Sequence, residues 1–204
     1  MQRRVMVGRM AMMLVLGVSL LWGMDTVFAA DKAPAVKAGK AEGAKGPRAI
    51  ITTRFGEIEV AFFPDKAPEH VKNFISLAKS GFYNGTIFHR VIPGFMIQGG
   101  DPNTKDLNKP ETYGQGGPSH RLKAEFNDIP HRRGILSMAR TSDPNSAGSQ
   151  FYIVVKDSNF LDGQYTVFGE VVRGMEVADK IVSTPRNNRD LPNERVEITV
   201  TVVE

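Results

Sequence analysis

The apolar positions of the chain change period several times after residue 48, and each change marks an element. Ala49 to Thr53 and Glu57 to Phe63 are β-rich runs separated by Arg54-Phe55-Gly56, which predicts a hairpin with Ile58, Val60 and Phe62 on one face of its second strand. From Asp65 to Ser80 the period becomes helical: Val71, Phe74, Ile75 and Ala78 fall at i, i+3, i+4 and i+7, Pro68 suits the first turn and Gly81 the stop. Such a helix predicts a plug for a sheet or barrel. Phe88 to Gly100 is two β-branched and aromatic runs around Pro93-Gly94, a strand, a tight turn and a strand. Asp101 to Ile129 is polar and rich in Gly, Pro and Asn, and predicts a long surface excursion. Gly134 to Ala139, Gln150 to Val155 and Tyr165 to Val172 read as strands, Met175 to Ser183 as a second helix, and Arg195 to Val203 as a closing strand. Many strands with two helices predict a mainly β fold, a closed antiparallel barrel capped at its ends.

The first 47 residues have other patterning. Arg3, Arg4 and Arg9 precede a nearly uncharged apolar run from Met10 to Met24, and Val27-Phe28-Ala29 offers a small residue at each position that a signal peptidase reads. The run is short for a membrane span, which needs about 20 residues. Residues 1–29 therefore read as a signal peptide cleaved near Ala29, which implies a periplasmic or secreted protein. The alternative is an uncleaved anchor in the inner membrane, the only membrane contact expected. Ala30 to Pro47 is Ala-, Lys- and Gly-rich with no apolar period, so it reads as a flexible linker before a domain spanning 48–204.

Composition narrows the classes of function. With 41% hydrophobic and 24% charged residues, the 204-residue chain suits one globular domain with modest extras. There is no cysteine, hence no disulfide, thiol nucleophile or Cys-based zinc site. The net charge of +4 is scattered without a basic-aromatic stripe, which argues against nucleic acid as a partner. His70, His89, His120 and His131 show no metal-binding spacing, so no metal is expected. Gly114-Gln115-Gly116-Gly117 lacks the spacing and the strand–helix context of a dinucleotide fingerprint, and no Ser/His pairing marks a hydrolase.

The candidate chemistry starts at Arg90. A guanidinium inside so apolar a run is unusual. Alternation puts Arg90 on the face of Phe88, and Met96 on the face of Gln98. Two readings are open on this pattern: an edge-strand Arg snorkelling to water, or a cationic donor held over an apolar pocket. Further along stand Gly134-Ile135-Leu136-Ser137-Met138-Ala139-Arg140, Asn145-Ser146-Ala147-Gly148-Ser149-Gln150-Phe151-Tyr152-Ile153, Phe160-Leu161-Asp162-Gly163 and Val167-Phe168-Gly169-Glu170. Together with the Phe88 to Gly100 stretch, these blocks resemble the cyclophilin family of peptidyl-prolyl isomerases over about Arg48 to Glu204, most closely its bacterial members. Several separated blocks matching in order are far more specific than one short motif.

The resemblance implies a closed eight-stranded antiparallel barrel with a helix over each opening, and isomerisation of X–Pro bonds with no cofactor. It implies that Arg90 acts on the twisting imide, with Gln98 and Phe95 beside it. Phe95, Met96, Tyr152 and Leu161 would wall the proline pocket, Gln98 and Gln150 would bind substrate backbone, and Ala139 and Arg140 would receive the substrate chain. Phe160 and Tyr165 stand where well-studied eukaryotic members carry Trp and His. Losing the indole donor implies weak binding of cyclosporin A. Arg140 replaces the family's usual Asn, and a cation at that rim favours acidic peptides. The substrates implied are proline-containing polypeptides, unfolded exported proteins among them, bound by a monomer. The rivals are a module that captures Pro-containing segments with incidental turnover, and a structural domain tethered to an envelope assembly.

Overall fold

In a computed structural model, residues 46–203 are described; the signal-peptide reading and all but the last two residues of the linker reading lie outside them. The strands are β1 Arg48–Thr53, β2 Gly56–Phe62, β3 Thr86–Ile87, β4 Arg90–Ile92, β5 Met96–Gly99, β6 Ile135–Met138, β7 Phe151–Val154, β8 Val167–Arg173 and β9 Glu197–Val203. The helices are α1 Pro68–Lys79 and α2 Met175–Val182. Every strand pair is antiparallel, in one sheet of order β3-β9-β1-β2-β8-β6-β7-β5-β4.

The mainly β fold with two helices is as expected, but the strand count is nine and the seam is not a ladder. The two edge strands, β3 and β4, are separated only by Phe88 and His89. The Phe88 N–H donates to the Val196 carbonyl at 3.0 Å and the His89 N–H to the Gln98 carbonyl at 3.0 Å, so these residues face opposite flanks of the curled sheet. Covalent chain, rather than strand pairing, joins its ends.

That kink also corrects the expected face of Arg90. Phe88 and Val91 are buried in the main core, whereas Arg90 is exposed. Strict alternation fails because residues 88 and 89 are not in a strand, and the chain turns between them and β4.

Two apolar clusters explain the nearly unbroken hydrophobic runs of the central strands. Ile97, Leu136, Met138, Phe151 and Ile153 enter the main core under α1 and α2, while Met96, Ile135, Tyr152, Val154 and Leu161 form a second cluster on the opposite face. A strand covered on both faces needs apolar residues at every position. Helix α1 starts three residues later than its apolar pattern predicts, with Pro68 in its first turn, where a missing N–H costs nothing. The excursion from residue 101 contains two short 3₁₀ turns, Pro102–Lys105 and Pro110–Thr112. Its anchor is the buried Asp101 carboxylate, which accepts from the backbone N–H groups of Asn103, Gly114 and Gly116.

Candidate active site

The second cluster ends in an open cavity of about 170 Å³ bordered by Arg90, Phe95, Met96, Gln98, Ala139, Arg140, Tyr152, Leu161 and Tyr165. The Pro93-Gly94 turn delivers its first wall. Gly94 adopts φ +73°, open to glycine at no steric cost, so β5 doubles back at once on β4. Register then places Arg90 opposite Gln98, and Gln98 opposite Tyr152 on β7. Met96 lies two residues from Gln98 and so shares its face, as the alternation predicts. The second wall is the 3₁₀ turn Asn159–Leu161, which brings Leu161 in beside Tyr152.

The polar groups form a chain across the mouth. Arg90 Nη1 donates to Gln98 Oε1 at 3.4 Å, Gln98 Nε2 donates to Gln150 Oε1 at 2.9 Å, and Gln150 Nε2 donates to the Gly116 carbonyl at 2.8 Å. Gln98 is thus held from behind, with its carbonyl turned to Arg90. Gln150 borders not the apolar cavity but a neighbouring one of about 270 Å³, which it shares with Gln98, Arg121, Ala139 and Arg140. Arg140 lies over the Tyr165 ring, 4.5 Å from its centroid, and donates to the Gln164 carbonyl from both Nε and Nη2. Phe160 stands outside the cavity, 66% exposed, with its ring 5.5 Å from that of Phe95. Neither cavity has a carboxylate in its lining.

The fold brings together one set that the sequence did not reveal. His131 Nε2 lies 3.1 Å from Ser137 Oγ and His131 Nδ1 lies 2.9 Å from Asp162 Oδ1, while Asp162 also accepts from the His131 backbone N–H at 2.7 Å. This is the connectivity of a hydrolase triad, but Ser137 is fully buried and borders neither cavity, so it meets no substrate. The set instead ties the turn carrying Leu161 to the strand behind Tyr152. Burial lowers the pKa of His131, so the neutral ring is the working form. The Tyr152 hydroxyl lies near Ser137 without a hydrogen bond of good geometry, and burial pushes its ionisation well up, keeping it a neutral phenol. Asp162 stood in plain view inside the Phe160-Leu161-Asp162-Gly163 block. Its partner, 31 positions earlier, was not legible. Among the described residues no group of acidic or His side chains is placed to hold a metal ion.

An apolar pocket with a cation and a backbone-binding amide at its rim suits a proline ring and the amide that precedes it. Comparison with known proteins gives the same result. Residues 48–203 match the family model described as cyclophilin type peptidyl-prolyl cis-trans isomerase. Peptidyl-prolyl cis-trans isomerase A of Dickeya dadantii is 51% identical over 144 residues, 68% of this chain and 73% of that protein. Peptidyl-prolyl cis-trans isomerase B of Escherichia coli is 47% identical over 168 residues, 74% of this chain and 97% of that one. A crystal structure of a Cryptosporidium parvum cyclophilin, obtained in the presence of the dipeptide Ala-Pro, superposes with a TM-score of 0.70 at 34% identity, covering 77% of this chain and 99% of that one. The chain belongs to the cyclophilin-type peptidyl-prolyl cis-trans isomerases.

Proposed function

We propose that Arg90 is the transition-state donor of this isomerase, acting on a proline held by Phe95, Met96, Tyr152 and Leu161. An X–Pro bond turns slowly because rotation breaks amide resonance, at a cost of roughly 18–20 kcal/mol. In the twisted state the imide nitrogen pyramidalises and gains a lone pair. A donor aimed at that lone pair lowers the barrier, because neither planar ground state presents it. A guanidinium never deprotonates and needs no metal or nucleophile to act. The observation that carries this reading is the position of Arg90. Its head group stands at the rim of the apolar cavity, held only by the long bond to Gln98 and paired with no carboxylate among the described residues. In this reading Gln98 and Gln150 bind substrate backbone, and Ala139 and Arg140 receive the chain next to the proline. NMR exchange spectroscopy on a short X–Pro peptide tests it: the protein speeds cis/trans exchange, whereas a pure binding module would bind the peptide and leave the exchange rate alone.

The clients we infer are proline-containing segments of exported, incompletely folded proteins. Export rests on residues 1–29 alone, and N-terminal sequencing of the mature chain decides between cleavage near Ala29 and a retained anchor. Cyclosporin A is expected to bind weakly. Phe160 offers a ring at the rim of the pocket but no N–H donor. Phe160→Trp restores one, and a single hydrogen bond is worth about 0.5–1.5 kcal/mol, so inhibition tightens roughly several-fold. An unchanged inhibition constant in that variant would place the limiting contact elsewhere, Tyr165 being the next position to change.

A further inference from the structure

Gln98 borders a third cavity, of about 250 Å³, on which the isomerase reading makes no demand. It is lined by His89, Arg90, Gln98, Tyr113, Gly114 and Arg189 among others, and not by Ala139 or Arg140, which border the other two. We propose that this cavity, between Arg90 and Arg189, is a subsite for a carboxylate side chain of the substrate polypeptide, taken from one flank of the proline. The proposal rests on the assignment of the adjoining apolar cavity to the proline ring.

Two guanidinium groups converge there, and no carboxylate lines the cavity. Arg189, exposed on the loop after α2, makes one long bond, from Nη2 to the Pro110 carbonyl at 3.4 Å, out of the five N–H groups that a guanidinium carries. Its neighbour Asp190 is engaged elsewhere, with Oδ1 3.1 Å from Arg186 Nε. Arg90 likewise has only its long bond to Gln98. His89 is 6% exposed, and neither of its ring nitrogens has a hydrogen-bond partner among the described residues. Burial pushes its pKa down to about 4 in spite of the nearby Asp101 carboxylate and Ile87 carbonyl, so the ring is a neutral part of the wall. Asp101 cannot serve as its partner at the cavity, since that carboxylate is spent on three backbone N–H groups. His89 Nε2 lies against Gly114, where φ is +88° and a Cβ would stand 3.8 Å away, and it is closed off from solvent. Two guanidinium forks match the lone pairs of a carboxylate. No lining residue offers a carboxylate to a Lys or Arg side chain of a substrate.

The test is a peptide series carrying one Glu or one Gln at each of the three positions before and after the proline. Affinity and exchange rate are measured for the wild type, Arg189→Gln, Arg140→Gln and Lys72→Gln, the last removing one charge from the surface of α1. In the wild type, Glu is preferred over Gln roughly three- to tenfold at positions on one flank only, as a half-exposed charge-assisted pair would give. Arg189→Gln abolishes that preference, while Lys72→Gln keeps it. Equal affinity for Glu and Gln at every position overturns the subsite, as does a preference that vanishes in Arg140→Gln and survives in Arg189→Gln. Both results leave the isomerase reading intact as long as the Gln peptides are still turned over, whereas failure to accelerate any peptide of the series strikes that reading itself.

Discussion

Arg90→Ala lowers kcat/KM for an X–Pro peptide by on the order of 10²–10³, the usual cost of deleting one preorganised transition-state donor. Peptide affinity falls far less, because the cavity formed by Phe95, Met96, Tyr152 and Leu161 is untouched. A loss concentrated in turnover separates a group that acts only on the twisted imide from one that binds both planar forms. Arg90→Lys also fails substantially. An ammonium is a point charge without the planar fork, so it does not reproduce the fixed geometry that a guanidinium bonded to Gln98 Oε1 offers the imide nitrogen. Arg90 is exposed at the end of a three-residue strand, so neither change removes core packing, and a thermal melt close to wild type accompanies both. Exchange spectroscopy at equal protein concentration is the measurement. Near wild-type exchange in folded Arg90→Ala would return the residue to the snorkelling edge-strand role that its sequence context equally allows.

The second large effect is on stability. Phe74 is fully buried on α1, and its ring lies 5.3 Å from Phe62, 4.9 Å from Tyr83, 5.4 Å from Phe151 and 5.5 Å from Phe168. It is where the helix meets the sheet, and Phe151 sits between Gln150 and Tyr152 of the site. Phe74→Ala leaves a cavity among four rings that cannot close in together, because three belong to strands already fixed by their ladders. The expected loss is about 3–5 kcal/mol, measured as a fall in denaturant midpoint with little change in slope. Phe74→Leu, which keeps most of the volume, loses much less. A loss below about 1 kcal/mol in Phe74→Ala would mean that the helix is not held by this ring cluster.

These two residues also divide what local pattern can say from what it cannot. Phe74 was legible as core because the helical period that buries it runs through Val71, Ile75 and Ala78, and period is a local property of the chain. Arg90 was conspicuous for the opposite reason, a permanent charge in an apolar run, and that conspicuousness left its role open. What decided its surroundings was register: Arg90 opposite Gln98, Gln98 opposite Tyr152. The first pairing is set by the local turn, but the second joins residues more than 50 positions apart, so the whole sheet chooses it and no window of sequence contains it.

Local pattern along the chain carried the mainly β architecture with its two helices, the Pro93-Gly94 turn and, through the ordered blocks, the family. Periodicity, turn chemistry and block order are all written along the chain. That the sheet has nine strands with a seam of bare chain at Phe88 and His89 came from the folded structure, because β3 is two residues long and too short to announce itself. It alone set Arg90 apart from Phe88, joined His131 to Asp162 and Ser137 behind the pocket, and brought Arg189 to within one cavity of Arg90. Each of these is a meeting of residues distant in sequence or a break in alternation, and the free energy that selects it comes from burial and pairing summed over the folded sheet.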